Sequence, residues 1–332
     1  MDVLITGGAG FVGTRLAREL LARGELAGRP IGRIVLADQA APPADLAAAP
    51  RIEARVGPLL EQCNALRGDA FDAVFHLASA VSGECERDFD LGLRSNLDST
   101  RALLEALRAA GNAPRFVFSS SIAVFGHDAS HPMPARMDDD TQPVPQTSYG
   151  THKLMCEYLI ADYTRKGFVD GRSVRLNTVT VRPGRPNGAA SSFFSGIVRE
   201  PLAGVEAICP VSAEVRHALS SPRRTVEGLI AVAEADREQL GSRLALNLPA
   251  LNVSVQQMLD ALEAVAGRAV RERVRFQPDP EIVRIVDGWP RAVAASRASA
   301  LGLKPEASFE HIVAAYIEDC AGDPAALRGL PA

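Results

Sequence analysis

The stretch Met1-Asp-Val-Leu-Ile-Thr-Gly7-Gly-Ala-Gly10-Phe-Val-Gly13 constrains the fold of this chain more than any other. Val3, Leu4 and Ile5 form a short apolar run that reads as a buried strand, and Phe11, Leu16, Leu20 and Leu21 follow the glycines with helical spacing. Strand, glycine turn and helix therefore succeed one another directly. Glycine, having no side chain, lets backbone N–H groups at a helix start approach a pyrophosphate, while the helix dipole adds partial positive charge. The spacing Gly7-x-x-Gly10-x-x-Gly13 differs from the general G-x-G-x-x-G fingerprint. It is the flanking strand and helix that make it a dinucleotide turn.

The alternation continues downstream. Ile34-Val-Leu-Ala-Asp38 is a second strand ending in a carboxylate, placed to accept hydrogen bonds from ribose hydroxyls and to repel a 2′-phosphate, which favours NAD over NADP. The segment 40–50 is rich in Ala and Pro and reads as a loop, Ile52 to Val56 as a third strand and Asp72 to Ala78 as a fourth, apolar on both faces. A long helical pattern runs from Glu86 to Ala110, and Arg115 to Ser119 is a fifth strand leading into Ser119, Ser120 and Ser121. Strands alternating with helices of this length define an α/β fold with a parallel sheet wound on both sides, its site at the carboxyl ends of the strands, beside Gly7, Ala78 and Ser119.

From His127 to Gln146 the chain is an excursion over the surface, and a helix then begins at Thr147-Ser-Tyr149. Ser173 to Arg182 is expected as one strand stopped by Pro183. Beyond it, helices are expected over 225–235, 254–266 and 308–320, with a strand over 243–248. This less regular half suits a smaller lobe that covers the carboxyl ends of the sheet and closes a substrate pocket. The division expected is residues 1–181 with about 221–246 for the sheet domain, and about 182–220 with 247–332 for the lobe.

The net charge of −4, without a basic run, argues against nucleic acid and anionic membrane as partners, and no apolar run is long enough to span a bilayer. The chain enters its first strand at once, which predicts a cytoplasmic protein without a leader. Its five cysteines are scattered, which suits reduced thiols and neither a disulfide frame nor a zinc site.

Tyr149 and Lys153 stand four residues apart and share one helix face. An adjacent ammonium stabilises a phenolate and is expected to move the tyrosine pKa down toward the working range, making the pair a base. Only three lysines occur in a chain that otherwise uses Arg, and a compact ammonium bonds two ribose hydroxyls where a planar fork would not fit. A serine hydroxyl ending the fifth strand is placed to orient a substrate alcohol or carbonyl toward that base.

As an ordered set, Gly7-x-x-Gly10-x-x-Gly13, Asp38, His76-Leu-Ala-Ser79, Asn96, Ser119-Ser-Ser121-x-x-Val-Phe-Gly126, Tyr149-x-x-x-Lys153 and Arg182-Pro183 resemble the extended short-chain dehydrogenase/reductase family, which includes nucleotide-sugar epimerases and dehydratases. The resemblance implies a Rossmann-type doubly wound parallel sheet and an NAD cofactor held by Gly7, Gly10, Phe11, Val12, Gly13, Asp38, Leu77, Ala78, Ser79, Asn96, Tyr149, Lys153 and Pro183. It also implies Tyr149 as acid/base, Lys153 on the nicotinamide ribose and Ser121 as the orienting serine. A homodimer through the helices at 86–110 and 147–166 follows from the same resemblance.

Two departures matter, one for the cofactor's adenine and one for the substrate. Gly57-Pro58 stands where family members carry Gly-Asp reaching the adenine, and Arg185 stands where nucleotide-sugar enzymes carry Asn near the substrate diphosphate. The run from Arg175 to Ser195 and the later Arg216-His217-Ala-Leu-Ser-Ser-Pro-Arg223 are similar to family members that oxidise the C2 hydroxyl of a small sugar acid. Under that resemblance Ser82, Ser121, Tyr149, Arg182 and Arg185 form the substrate set, with an arginine gripping the carboxylate in bidentate fashion. A nucleotide-sugar epimerase or dehydratase, and a non-catalytic NAD-binding sensor, are the other readings.

Overall fold

The computed structural model describes residues 1–184 and 189–330. Its first unit begins with β1 (Asp2–Thr6), the glycine turn and α1 (Phe11–Arg23), followed by β2 (Arg33–Asp38), β3 (Ile52–Val56) and β4 (Ala73–His76). Then come α2 (Ser99–Ala110), β5 (Arg115–Ser121), α3 (Ser148–Arg165) and β6 (Asp170–Leu176). Further on lie β7 (Thr178–Val179), α4 (Ser192–Leu202), β8 (Arg216–Ser220), α5 (Pro222–Glu234), β9 (Leu246–Asn247) and β10 (Leu251–Ser254). The chain continues with α6 (Val255–Ala266) and, further on, α7 (Phe309–Asp319).

Seven strands form one sheet in the order β3-β2-β1-β4-β5-β6-β9, every pair parallel. Strand order reverses between β1 and β4, which opens a crevice at their carboxyl ends. Because side chains alternate along a strand, Val3 and Ile5 face α1 and α5, where Leu16, Leu20, Leu229 and Ile230 are buried. Leu4 faces the opposite layer, with Phe116, Phe118, Leu103, Leu107 and Ile160. Burying each such side chain contributes about 1.5–3 kcal/mol. A separate core joins α4, α6 and α7 through Ile197, Val198, Leu259, Leu262 and Val313, while Ala295, Ala298 and Leu303 pack into the first core.

Three expectations are corrected. The strand expected from Ser173 to Arg182 divides at Asn177: β6 stays in the large sheet, whereas β7 pairs with β8 in a second sheet of order β10-β8-β7. Asn177 fixes the division, its Nδ2 donating to Ser220 Oγ at 3.0 Å and to the Leu248 and Pro249 carbonyls at 3.1 Å. The helix expected from Glu86 to Ala110 is broken at Asp88, whose extended backbone starts a new turn and whose carboxylate accepts the Leu91 N–H at 2.9 Å. A π-helical stretch, Leu93–Asp98, then leads into α2. Within the loop expected at 40–50, Ala44–Ala47 makes one helical turn that buries Leu46.

One buried ion pair ties α3 to the sheet. Glu157 accepts from Arg175 Nε at 3.0 Å, from Arg175 Nη2 at 2.8 Å and from the Ser120 hydroxyl, while Arg175 lies over the Phe125 ring. Removing one partner leaves an uncompensated buried charge. Glu157→Ala should lower unfolding free energy in urea by about 3–5 kcal/mol, and the apolar pair Glu157→Leu with Arg175→Met should recover most of that loss.

Candidate active site

A single cavity of about 1680 Å³ runs along the carboxyl ends of the sheet from Asp38 to Trp289. At one end, the glycine turn brings backbone against backbone: a Cβ on Gly13 would lie 2.2 Å from the Gly7 carbonyl oxygen, and one on Gly7 would lie 2.8 Å from the Ala78 nitrogen. Side chains at these positions would push the turn apart and away from the neighbouring strand end, displacing the helix start that a pyrophosphate needs. Asp38 accepts the Ala9 N–H at 2.9 Å and the Ala40 N–H at 3.1 Å, so its carboxylate is fixed beside the turn. Gly7, Gly10, Phe11, Val12, Gly13, Leu77, Ala78 and Ser79 line this stretch, as does Pro58 of the Gly57-Pro58 pair, which presents an apolar side chain there. The cradle and the carboxylate fit NAD.

Further along the same cavity, Ser121, Tyr149 and Lys153 come together. The three serines after Phe118 have separate uses: Ser119 donates to the His76 carbonyl, Ser120 to Glu157, and Ser121 Oγ accepts the Ala123 N–H at 3.1 Å. Since Ser121 spends a lone pair there, its proton remains available toward the cavity. Tyr149 is brought to it by close packing: a Cβ on Gly150 would sit 2.1 Å from the Ala123 carbonyl oxygen, so α3 starts directly against the turn after β5. Lys153 Nζ donates to the Ser119 carbonyl at 2.7 Å, with the Phe118 ring 4.7 Å away and the Tyr149 ring 5.5 Å away.

The charge state differs from the sequence expectation. Burial pushes the Tyr149 phenol up to about 12, against smaller favourable effects of the Ser121 and Ser79 hydroxyls and Arg182, and Lys153 is not what sets it. Burial also brings Lys153 down to about 8. An ammonium stripped of water stabilises the phenolate only as far as its own charge persists.

Asn96 is buried in the π-helical stretch and clamps the neighbouring loop: Oδ1 accepts from Ala80 N at 2.8 Å and Ser79 Oγ at 3.0 Å, and Nδ2 donates to the Ala80 carbonyl. It therefore positions Ser79 and Ala80, which line the cavity. Ser82 and Arg182 line the cavity, and Pro183 is not among its described lining residues. The Arg182 guanidinium lies 4.6 Å over the Phe11 ring, and burial lowers its pKa; among the described residues no carboxylate pairs with it. Arg185 lies outside the described residues.

Sequence reasoning missed the far wall, formed by Thr178, His217 and Trp289. His217 stacks on Phe194 with ring centroids 5.0 Å apart and lies 5.3 Å from Trp289. No spacing could have joined them, since Thr178 and His217 meet only through the pairing of β7 with β8.

The chain belongs to the NAD dependent epimerase/dehydratase family, which matches residues 3–227. Its cofactor is accordingly NAD, bound to a Rossmann-type sheet. D-erythronate dehydrogenase of Cupriavidus necator is 49% identical over 96% of this chain and 98% of its own length. The enzyme of the same name from Haemophilus influenzae is 43% identical over 96% of this chain and 99% of its own. A crystal structure from Agrobacterium tumefaciens, described as a nucleoside-diphosphate-sugar epimerase, superposes with a TM-score of 0.91 at 43% identity, covering 98% of this chain and 96% of that one.

Holding Lys153 in a dry site should cost stability. Below about pH 8 the lysine is charged in both folded and unfolded chains and the full burial cost is present; between about 8 and 10.4 the unfolded chain binds more protons, so stability attributable to this group rises with pH. Lys153→Met should therefore be inactive yet more stable at pH 7, by on the order of 1–3 kcal/mol, with the advantage shrinking toward pH 10. Thermal unfolding of both proteins at the two pH values checks this.

Proposed function

We propose that this enzyme oxidises D-erythronate at C2 with NAD, giving 2-dehydro-D-erythronate. The observation that carries the reading is the meeting of Tyr149, Ser121 and Lys153 with the Arg182 guanidinium along one cavity, in a chain 49% identical to a D-erythronate dehydrogenase over nearly its whole length. Bound NAD supplies the hydride acceptor. Gly7, Gly10 and Gly13 take the pyrophosphate, Asp38 the adenosine ribose and Lys153 the nicotinamide ribose. Arg182 pairs with the substrate carboxylate, which replaces the water its guanidinium has lost. Ser121 donates its remaining proton to the substrate oxygen and holds the C2 hydroxyl toward Tyr149. The hydroxyl proton passes to Tyr149 in its phenolate form as the C2–H electron pair leaves as hydride for the nicotinamide that NAD would place there, leaving the C2 carbonyl.

Because burial holds Tyr149 protonated, oxidation should speed up as pH rises from 7 toward about 8, and the gain should be lost above that, where Lys153 gives up its charge. Tyr149→Phe should lose at least about 1,000-fold in turnover while binding NAD as before, measured by NADH formation and by cofactor titration. Near-normal turnover in that variant would remove Tyr149 from the mechanism. The wild type should reduce NAD with D-erythronate and prefer NAD to NADP, and Asp38→Ser should narrow that preference by weakening NAD and admitting the 2′-phosphate. A wild type silent with D-erythronate, L-threonate, other aldonates and uronates, but holding its cofactor through purification, would place the activity with nucleotide-sugar epimerisation.

The protein works as a homodimer in the cytoplasm in this reading. Phe89, Leu91, Met155 and Tyr158 are 37–59% exposed on the short helix Phe89–Gly92 and on α3, an apolar face that suits a second copy. The five buried free cysteines suit a reducing compartment. No helix among the described residues is long and apolar enough to cross a membrane.

A further inference from the structure

The wall opposite the glycine turn holds a hydroxyl whose proton is already committed. His217 is buried, with Nδ1 3.1 Å from the Pro290 carbonyl oxygen and Nε2 2.7 Å from Thr178 Oγ1. A peptide carbonyl can only accept, so the Nδ1 nitrogen carries the ring hydrogen and Nε2 is bare. The opposite tautomer would set two lone pairs against each other at Pro290. Flanked by the rings of Phe194 and Trp289, the imidazole is held neutral, burial taking its pKa down to about 4. Thr178 must therefore donate its one proton to Nε2.

What remains on Thr178 toward the cavity is a pair of acceptor sites and no donor. Thr178 is half-buried and lines the same cavity as Ser121, Tyr149 and Arg182. An acceptor-only group there repels a carboxylate or carbonyl oxygen and attracts an O–H. The two ends of a polyhydroxy acid are thus told apart: the carboxylate is drawn to Arg182, and a hydroxyl beyond the reacting carbon is drawn to Thr178.

We propose that Thr178, with its hydroxyl turned by His217, is the specificity-determining acceptor for a substrate hydroxyl at C3 or C4, so that the enzyme selects polyhydroxy acids over simple 2-hydroxy acids. His217 is the positioning residue: it touches no reacting atom, but it sets which way the threonine proton points. The proposal rests on the oxidation of D-erythronate proposed above and adds the group that reads the substrate's tail. A site built to bond a hydroxyl penalises an analogue that lacks it, because the half-buried acceptor, covered by the bound analogue, is then left unpaired.

The test compares D-erythronate with (R)-2-hydroxybutyrate, which keeps the carboxylate and C2 geometry and lacks both distal hydroxyls. Thr178→Val, nearly the same in shape, should lower kcat/KM for D-erythronate by about 10- to 100-fold while leaving (R)-2-hydroxybutyrate within about threefold of the wild type. An equal loss on both acids would show a structural role and overturn the proposal. Nitrogen-15 NMR of histidine-labelled wild type, with the His217 signal identified by its response to Thr178→Val, reads the tautomer independently of any substrate. The expected state is Nδ1–H with an unprotonated, hydrogen-bonded Nε2; an Nε2–H ring overturns the proposal. A wild type that fails to oxidise D-erythronate defeats the functional reading and with it the substrate named here, whereas an Nε2–H ring in a wild type that does oxidise it overturns this proposal alone.

Discussion

The site depends on how α3 is seated against β5. Tyr149 and Lys153 belong to the helix and Ser121 to the strand end, so a shift of one element by an ångström would separate base from orienting hydroxyl. Two contacts prevent that shift. At the start of the helix, Gly150 lets the backbone approach the Ala123 carbonyl so closely that a methyl group would not fit. Two turns on, Glu157 reaches into the sheet to Ser120 and Arg175 on adjacent strands. Lys153 lies between these fixed points, its ammonium bonded to the Ser119 carbonyl. One residue alternates with the next along β5: Ser119 serves the lysine, Ser120 the helix anchor and Ser121 the cavity.

A second set of bonds joins the cofactor turn to the helical layer. His76 is fully buried, bonded through Nδ1 to Thr6 Oγ1 at 2.6 Å and through Nε2 to Thr100 Oγ1 at 2.8 Å. Thr100 donates to the Asn96 carbonyl, so it must accept from Nε2–H; Nδ1 is then the acceptor, and Thr6 donates to it while accepting the Ala78 N–H. Every donor in this chain has one acceptor. The chain runs from the end of β1 to the π-helical stretch whose Asn96 side chain holds Ser79 and Ala80. In this way the loop beside the cofactor and the turn beneath the pyrophosphate are set by one network, and burial keeps His76 neutral by lowering its pKa to about 3.

The parts legible in the sequence were those written by local rules. The glycine turn, the carboxylate of Asp38 and the i, i+4 pair Tyr149 and Lys153 each depend on residues close in the chain, and the structure brings all of them to one cavity. What was not legible depends on contacts made across the chain. Asn177 divides an apolar run that looks continuous, because its amide bonds Ser220, Leu248 and Pro249 far downstream. The break at Asp88 and the π-helical stretch leave a helical hydrophobic pattern nearly intact, so periodicity passes over them. The pairing of Thr178 with His217 appears only when β7 and β8 lie side by side. The tyrosine pKa failed for a related reason: sequence shows the ammonium but not the desolvation that outweighs it.

That desolvation also explains how the site attracts its ligands. Lys153 and Arg182 are both shifted toward neutrality by burial, and among the described residues neither has a carboxylate within ion-pair distance. By contrast, Arg175 is paired with Glu157 in the sheet. Two cations without a carboxylate partner among the described residues, Lys153 buried and Arg182 half-buried, raise the energy of the folded chain, and the apolar layers around the sheet offset that cost. An anion that enters removes part of it. The carboxylate of a sugar acid facing Arg182 is stabilised where the guanidinium has already lost part of its water, so the same unpaired charge that weakens the free protein strengthens binding.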